Sequence, residues 1–362
     1  MGRFVWSVLL AGLLNFVLLA QDSQVPQLKP AESAKTAPPA IVGGNEREVL
    51  LDVQVTDKSG APVRGLQQQD FTLLDDKLPL NIVSFRAVDP AATAEPVEIV
   101  LVIDAVNASF QNVTYEREQL KKFLLQNGGK LEQPVSLVLF EDTGTKLQPS
   151  ASRDGNALAA LYDQYETGLR SIKRSSGFYG AAERFSLSIK TIGQLTAYEA
   201  KKPGRKFMVW FSPGWPMLSG PGIELSNKDM ERMFSSVVAL STQLRQARVT
   251  LYQIDPLGVA EAGGMRVTYY EQFLKGVPSI SKVTAGNLAL QVLAVQSGGR
   301  VFNSSNDLTN ALANCASDAT GFYDISFNAP RADRANEYHS LEVTVNKPGV
   351  VARTRTGYYA QP

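Results

Sequence analysis

From Val49 the chain alternates apolar and polar positions with period two, through VLLDVQVTD, the turn KSGAPVRGL and a second strand region, DFTLLDDKLPLNIVSF. Gly60 and Gly65 fit turn positions there, and Asp75-Asp76-Lys77 fits a hairpin tip. Residues 47–90 are therefore expected to form a small antiparallel β unit, too short to bury an independent core. The same alternation returns at Tyr338 to Asn346 and Val350 to Tyr359, predicted as a strand pair around Lys347-Pro348-Gly349. The terminal regions 47–90 and 335–362 are expected to share one β layer or sandwich, with the central domain inserted between them. Two separate β appendages are the alternative.

Between residues 95 and 330 the pattern changes to short apolar runs separated by helical stripes. The runs lie at 97–104 (VEIVLVID), 135–140, 206–211, 249–254 and, more weakly, 300–302, with a last strand signal at 321–327 (GFYDISF). Helices are predicted over 115–126, 154–167, 181–200, 228–247 and 285–296. Leu120, Phe123 and Leu124 share one face, as do Met233, Val237, Leu240 and Leu244. The fold class this predicts is α/β: a doubly wound, mostly parallel sheet with helices on both faces. Residues 97–104 read as a strand buried on both sides that ends at Asp104, and ligands of such sheets sit beyond the carboxyl ends of the strands.

Composition narrows the function. The 362 residues carry a formal net charge of +1 and no basic tract, which argues against nucleic acid or an anionic membrane surface as partner. One cysteine, Cys315, excludes an internal disulfide, and one histidine, His339, leaves little for Ser/His or Cys/His catalysis. Cys315 is expected as a small buried helix residue and His339 at a half-exposed strand position. No G-x-S-x-G elbow, P-loop, dinucleotide fingerprint or H-E-x-x-H is present, so the chain is not expected to be an enzyme. Residues 1–20 have Arg3 before a long apolar run ending at Ala20 and are expected to be an export signal, cleaved near Ala20 or retained as an anchor. Residues 21–46 read as a Pro/Ala-rich flexible linker. The expected location is periplasmic, envelope or extracellular, with membrane contact only through an uncleaved N-terminal segment or a partner.

In the order and spacing of VLLDVQVTDKSGAPVRGLQQQDFTLLDDKLPLNIVSF, LVIDAVNASF, KFMVWFSPG, VTLYQIDPLG and SGGRVFNSSNDLTNALANCASDATGFYDISF, the chain resembles the von Willebrand factor A-type domain. The likeness is narrower to the secreted bacterial group described as acidobacterial A-domain related, and runs over about residues 47–360. It implies a divalent-cation adhesion site at the top of the sheet, built on Asp-x-Ser-x-Ser, a threonine from a second loop and an aspartate from a third. Here Asp104 matches the first aspartate, but Val106 and Ala108 stand where the hydroxyls belong. Ser150 or Ser152 lies at the approximate place of the threonine, and Ser212-Pro213-Gly214 replaces the third-loop aspartate. The resemblance thus implies a degenerate site: no cofactor is expected, and Mg²⁺ or Ca²⁺ at Asp104, Ser150 and Ser152 would be held weakly.

The candidates for contact with a protein partner are Asn107, Ser109, Ser212 and Trp215 on the strand-end loops, together with Phe178 and Tyr179 in a Gly- and Ser-rich loop. Tyr269 and Tyr270 mark a second candidate surface. The function expected is a non-enzymatic, adhesion-like interaction module acting through these loops. The alternatives are an envelope assembly component acting through the terminal β unit, and a hydrolase using Asp104, Glu141, Asp142 and Asp255 at strand ends.

Overall fold

The computed structural model describes residues 47–89, 96–108, 110–165, 177–216, 225–256 and 268–362. In chain order the strands are β1 (Glu48–Asp57), β2 (Phe71–Asp75), β3 (Leu78–Leu80), β4 (Ser84–Val88), β5 (Val97–Asp104), β6 (Lys130–Glu141), β7 (Gly144–Leu147), β8 (Ser152–Asp154), β9 (Arg205–Phe211), β10 (Val249–Ile254), β11 (Val301–Phe302), β12 (Phe322–Asn328), β13 (Glu337–Val345), β14 (Val350–Arg353) and β15 (Gly357–Ala360). The helices are α1 (Phe110–Leu124), α2 (Gly155–Tyr165), α3 (Gly177–Glu199), α4 (Asn227–Gln246), α5 (Leu290–Gln296) and α6 (Leu308–Asp318). None of the described helices is long and apolar enough to cross a membrane.

The central sheet has seven strands in the order β11-β10-β9-β5-β6-β7, with β8 also paired to β6. Pairs β5–β6, β5–β9, β9–β10 and β10–β11 are parallel, while β7 and β8 run antiparallel to β6. Counted within this sheet, the path is the common doubly wound one, with an antiparallel edge. The period of two along β5 sends Val97, Ile99, Leu101 and Ile103 into one core and Val100 and Val102 into the other. On the first face α1 contributes Leu120, Phe123 and Leu124, α2 Leu158 and Tyr162, and α6 Leu308, Leu312 and Cys315. On the second, α3 contributes Ile192 and Leu195, α4 Val237, Leu240 and Leu244, and α5 Leu290 and Leu293. The chain reverses direction across the sheet between β5 and β9, and this switch point is where such a fold opens a crevice.

Two four-stranded antiparallel sheets, β14-β1-β12-β4 and β15-β13-β2-β3, enclose a third core that includes Leu51, Val53, Phe71, Tyr323, Ile325 and Phe327. Both contain strands from each end of the chain. Two expectations are corrected by the register. The run at 321–327 is β12, which pairs with β1 and β4 and not with the parallel sheet. The stretch 350–359 is not one strand paired to 338–346 around Lys347-Pro348-Gly349: its first part, β14, joins β1, and only its end, in β15, pairs with β13, which also joins β2.

A charged seam joins sandwich and sheet. Arg205, at the start of β9, is 1% exposed, with its guanidinium between the rings of Phe207 and Phe322 at 4.4 and 4.5 Å. Asp52 of β1 lies 3.8 Å from Arg205 and bonds Arg248, which also reaches Asp324 of β12 at 2.8 Å.

Candidate functional site

The carboxyl end of β5 carries Asp104, which is fully buried on the same face as Trp210 of β9. One Asp104 oxygen, Oδ1, accepts the amides of Val106 at 2.9 Å and Asn107 at 2.8 Å. The other accepts the Asn107 side-chain amide at 2.8 Å and the Trp210 indole N–H at 3.0 Å. Asn107 donates in turn to Ser188 Oγ of α3 at 2.9 Å, so the β5–α1 loop is tied to the helix beside it. Burial pushes the Asp104 carboxyl above its ordinary range, against the pull of these bonds from Asn107, Trp210 and Ser212.

The residues present do not fit the cation that the A-type resemblance implies. Both oxygens of Asp104 face N–H groups, and a cation set against either would meet the positive ends of those dipoles. Nor do the serines reach it. After β6 the chain turns back down the edge of the sheet as β7 and β8, so Ser152 pairs with Val135, level with Ile99, whereas Asp104 is level with Phe140. Five residues of strand separate those levels, about 16 Å at the usual rise. Ser150, just before β8, is exposed on that same descending edge.

The partner candidates divide. Asn107 turns inward, as its place out of step with the missing hydroxyls allows; its side-chain NH₂ goes to Asp104 and Ser188, while its Oδ1 is buried without a hydrogen-bond partner among the described residues. Ser212 is fully buried, takes the Gly214 amide on its hydroxyl at 3.2 Å, and its carbonyl accepts the Gln253 side chain. Trp215 is 4% exposed and packs edge-to-face on Trp210 with 5.4 Å between ring centroids. Gly214 makes this inward fold possible: its φ is +108°, and a Cβ there would lie 2.4 Å from the Gln291 side chain. Expectation of contact through Asn107, Ser212 and Trp215 is corrected accordingly, since the loop closes over its own aromatics. Tyr179, in the first turn of α3, is 82% exposed. Ser109 and the side chain of Phe178 lie outside the described residues. Tyr269 and Tyr270 are both half-buried.

Sequence reasoning missed Glu116. It projects from α1 one turn before Leu120, is fully buried, and neither carboxyl oxygen has a hydrogen-bond partner among the described residues. Burial, then the charge of Asp104, pushes its carboxyl well above the usual range. The hydroxyl of Tyr162 also lacks a hydrogen-bond partner among the described residues, and burial followed by Glu116 pushes it up. An acid four residues before Leu120, within the apolar stripe, was the available signal. Between the ordinary glutamate value of 4.5 and the raised one, the folded protein keeps a proton that the unfolded chain has lost, so stability falls as pH rises. Each pH unit in that window costs about 1.4 kcal/mol. Glu116→Gln is expected to be more stable than the parent at pH 7, with the gap closing toward pH 5, as read by urea unfolding.

Of the other strand-end acids, Asp142 is exposed. Glu141 pairs with Lys146 at 3.2 Å, and Asp255 is buried at the end of β10. A groove of 490 Å³ between α3 and α4, lined by Ile189, Tyr198 and Leu240 among others, does not include Asp104.

No family model matches the chain, and no curated protein matches it. Among solved structures it is similar to the human COPII-coat protein Sec24c, at 10% identity and a TM-score of 0.35 over 74% of this chain and 44% of that one. It is similar to the manganese-loaded TRAP protein of Plasmodium vivax, at 9% identity and a TM-score of 0.33 over 77% and 99%. It is also similar to the pilus adhesin SpaC of Lactobacillus rhamnosus GG, at 12% identity and a TM-score of 0.37 over 86% and 42%. The chain spans less than half the length of Sec24c and of SpaC.

Proposed function

We propose that the chain is an exported A-type domain protein that binds a protein partner, without catalysis and without a cation at Asp104, through the surface around the carboxyl ends of β5 and β9. The reading is carried by the saturation of Asp104. A carboxylate at the switch point with both oxygens taken by internal donors can shape a loop but offers neither a base nor a ligand position. Recognition then falls to exposed side chains such as Tyr179, whose ring supplies contact area with few rotors to freeze. The wound sheet order and the sequence likeness support the A-type assignment.

A second reading has an observation in its favour. Leu78, Val83 and Val351 are 69%, 54% and 61% exposed, and all belong to the terminal sandwich, on or beside edge strands open to pairing. An envelope assembly role would use that end. Photo-crosslinkers placed singly at Tyr179 and at Val351 of the full chain, exposed to envelope and extracellular fractions with and without chelator, separate the two. The expected result is one discrete adduct from Tyr179, equally strong in chelator; adducts from Val351 alone, or adducts lost in chelator, contradict the first reading.

A further inference from the structure

The tip of the β2–β3 hairpin holds a cluster unconnected with the switch point. Asp76 and Lys77 turn the chain with φ of 47° and 69°, and the turn lies beside β13, where Leu341 pairs with Asp75. His339 Nδ1 lies 3.0 Å from Asp75 Oδ1 and 3.6 Å from Asp76 Oδ2, and one ligand atom from each of the three residues falls within 4.8 Å of the others. It is the sole group of three such side chains so placed among the described residues.

The outer oxygens of the two carboxylates are already held. Tyr358 donates its hydroxyl to Asp75 Oδ2 at 2.8 Å and stacks its ring on His339 with 5.2 Å between centroids. The amide and hydroxyl of Ser340 donate to Asp76 Oδ1 at 2.9 and 2.8 Å. The remaining oxygens, Asp75 Oδ1 and Asp76 Oδ2, both turn to the same imidazole nitrogen. Ligand atoms about 2.1 Å from one ion stand roughly 3.0 Å apart at right angles and 3.4 Å apart in a tetrahedron, close to the spacings found. Outer donors that fix a carboxylate in this way are what an ion site requires of its surroundings.

Charge points the same way. Asp75 is 4% exposed, yet no lysine or arginine pairs with it or with Asp76 among the described residues, so His339 alone faces two carboxylates. Its far nitrogen, Nε2, is buried without a hydrogen-bond partner among the described residues. One imidazole with two carboxylates suits a borderline transition metal better than Mg²⁺ or Ca²⁺. The exposed side of Asp76, 52% accessible, leaves room for water to complete the shell.

We propose that Asp75, Asp76 and His339 bind one divalent transition-metal cation of the Zn²⁺ type, pinning the β2–β3 hairpin to β13. The test uses tag-free full-length protein, stripped with chelator and titrated with Zn²⁺ by calorimetry, with Co²⁺ absorption as a report on imidazole ligation. One Zn²⁺ per chain and a raised Tm are expected in the parent. His339→Ala and Asp76→Asn should each weaken binding at least tenfold, and Asp104→Asn should leave it unchanged. Asp76 is exposed, so Asp76→Asn keeps the fold, to be checked by circular dichroism. Absence of saturable Zn²⁺ binding in the parent, or equal binding in folded Asp76→Asn and His339→Ala, would overturn the proposal and leave a His–Asp ion pair only.

Discussion

Asp52→Ala is expected to lower stability by about 3–5 kcal/mol, the largest effect of any single substitution considered, because it strands a buried cation. Arg205 is enclosed between Phe207 and Phe322 and has Asp52 as its carboxylate neighbour at 3.8 Å, while its Nε and one terminal nitrogen have no hydrogen-bond partner among the described residues. Arg248 retains Asp324 when Asp52 is lost, so the penalty concentrates on Arg205. Burial works to raise the Asp52 carboxyl, but Arg205 and Arg248 outweigh it and hold the group below the ordinary value of 3.8. The stability this contributes is complete above that value and is lost as pH falls through the depressed one. Asp52→Asn should therefore flatten the acid limb of the unfolding profile as well as lower Tm, by roughly 10 °C. The seam joins β1 and β12 to β9, so a broken seam should also split one unfolding transition into two, visible by calorimetry.

Asp104→Ala comes next, at about 2–4 kcal/mol, since it leaves the Val106 and Asn107 amides and the Trp210 indole buried without acceptors. Relief of the buried carboxylate offsets part of that loss. Asp104→Asn is the sharper probe: it can keep an acceptor for the backbone amides but sets an NH₂ group against the donors of Trp210 and Asn107. Its cost should shrink in a Trp210→Phe background, where one of those donors is gone. A double-mutant cycle by urea unfolding should return a coupling of about 1 kcal/mol or more.

Much of the architecture was legible because the physics that sets it is local. The strand at 97–104 is apolar on both faces because helices cover both, and the stripes on α1 and α4 mark the faces they bury. The same signal misled at 321–327. There Phe322 enters the core of the parallel sheet while Tyr323, Ile325 and Phe327 enter the sandwich, so β12 is buried on both sides although it belongs to an antiparallel layer. Around Asp104 the limit was different. Its partners are mostly backbone amides, a buried indole and an inward-turned amide, none of which composition or spacing reveals. The descent of β7 and β8, which carries Ser152 away, is a matter of register, and the burial of Trp215 depends on a glycine at positive φ.

The central claim is that Asp104 closes a loop and does not hold a cation. It is tested most directly by thermal unfolding of the parent and of Asp104→Asn across a Mg²⁺ titration begun in chelator, an ion the imidazole cluster disfavours. The account predicts a Tm for each protein that does not move with Mg²⁺, and a gap between them that is the same at every concentration. A saturable rise in Tm for the parent that is missing from Asp104→Asn would contradict it.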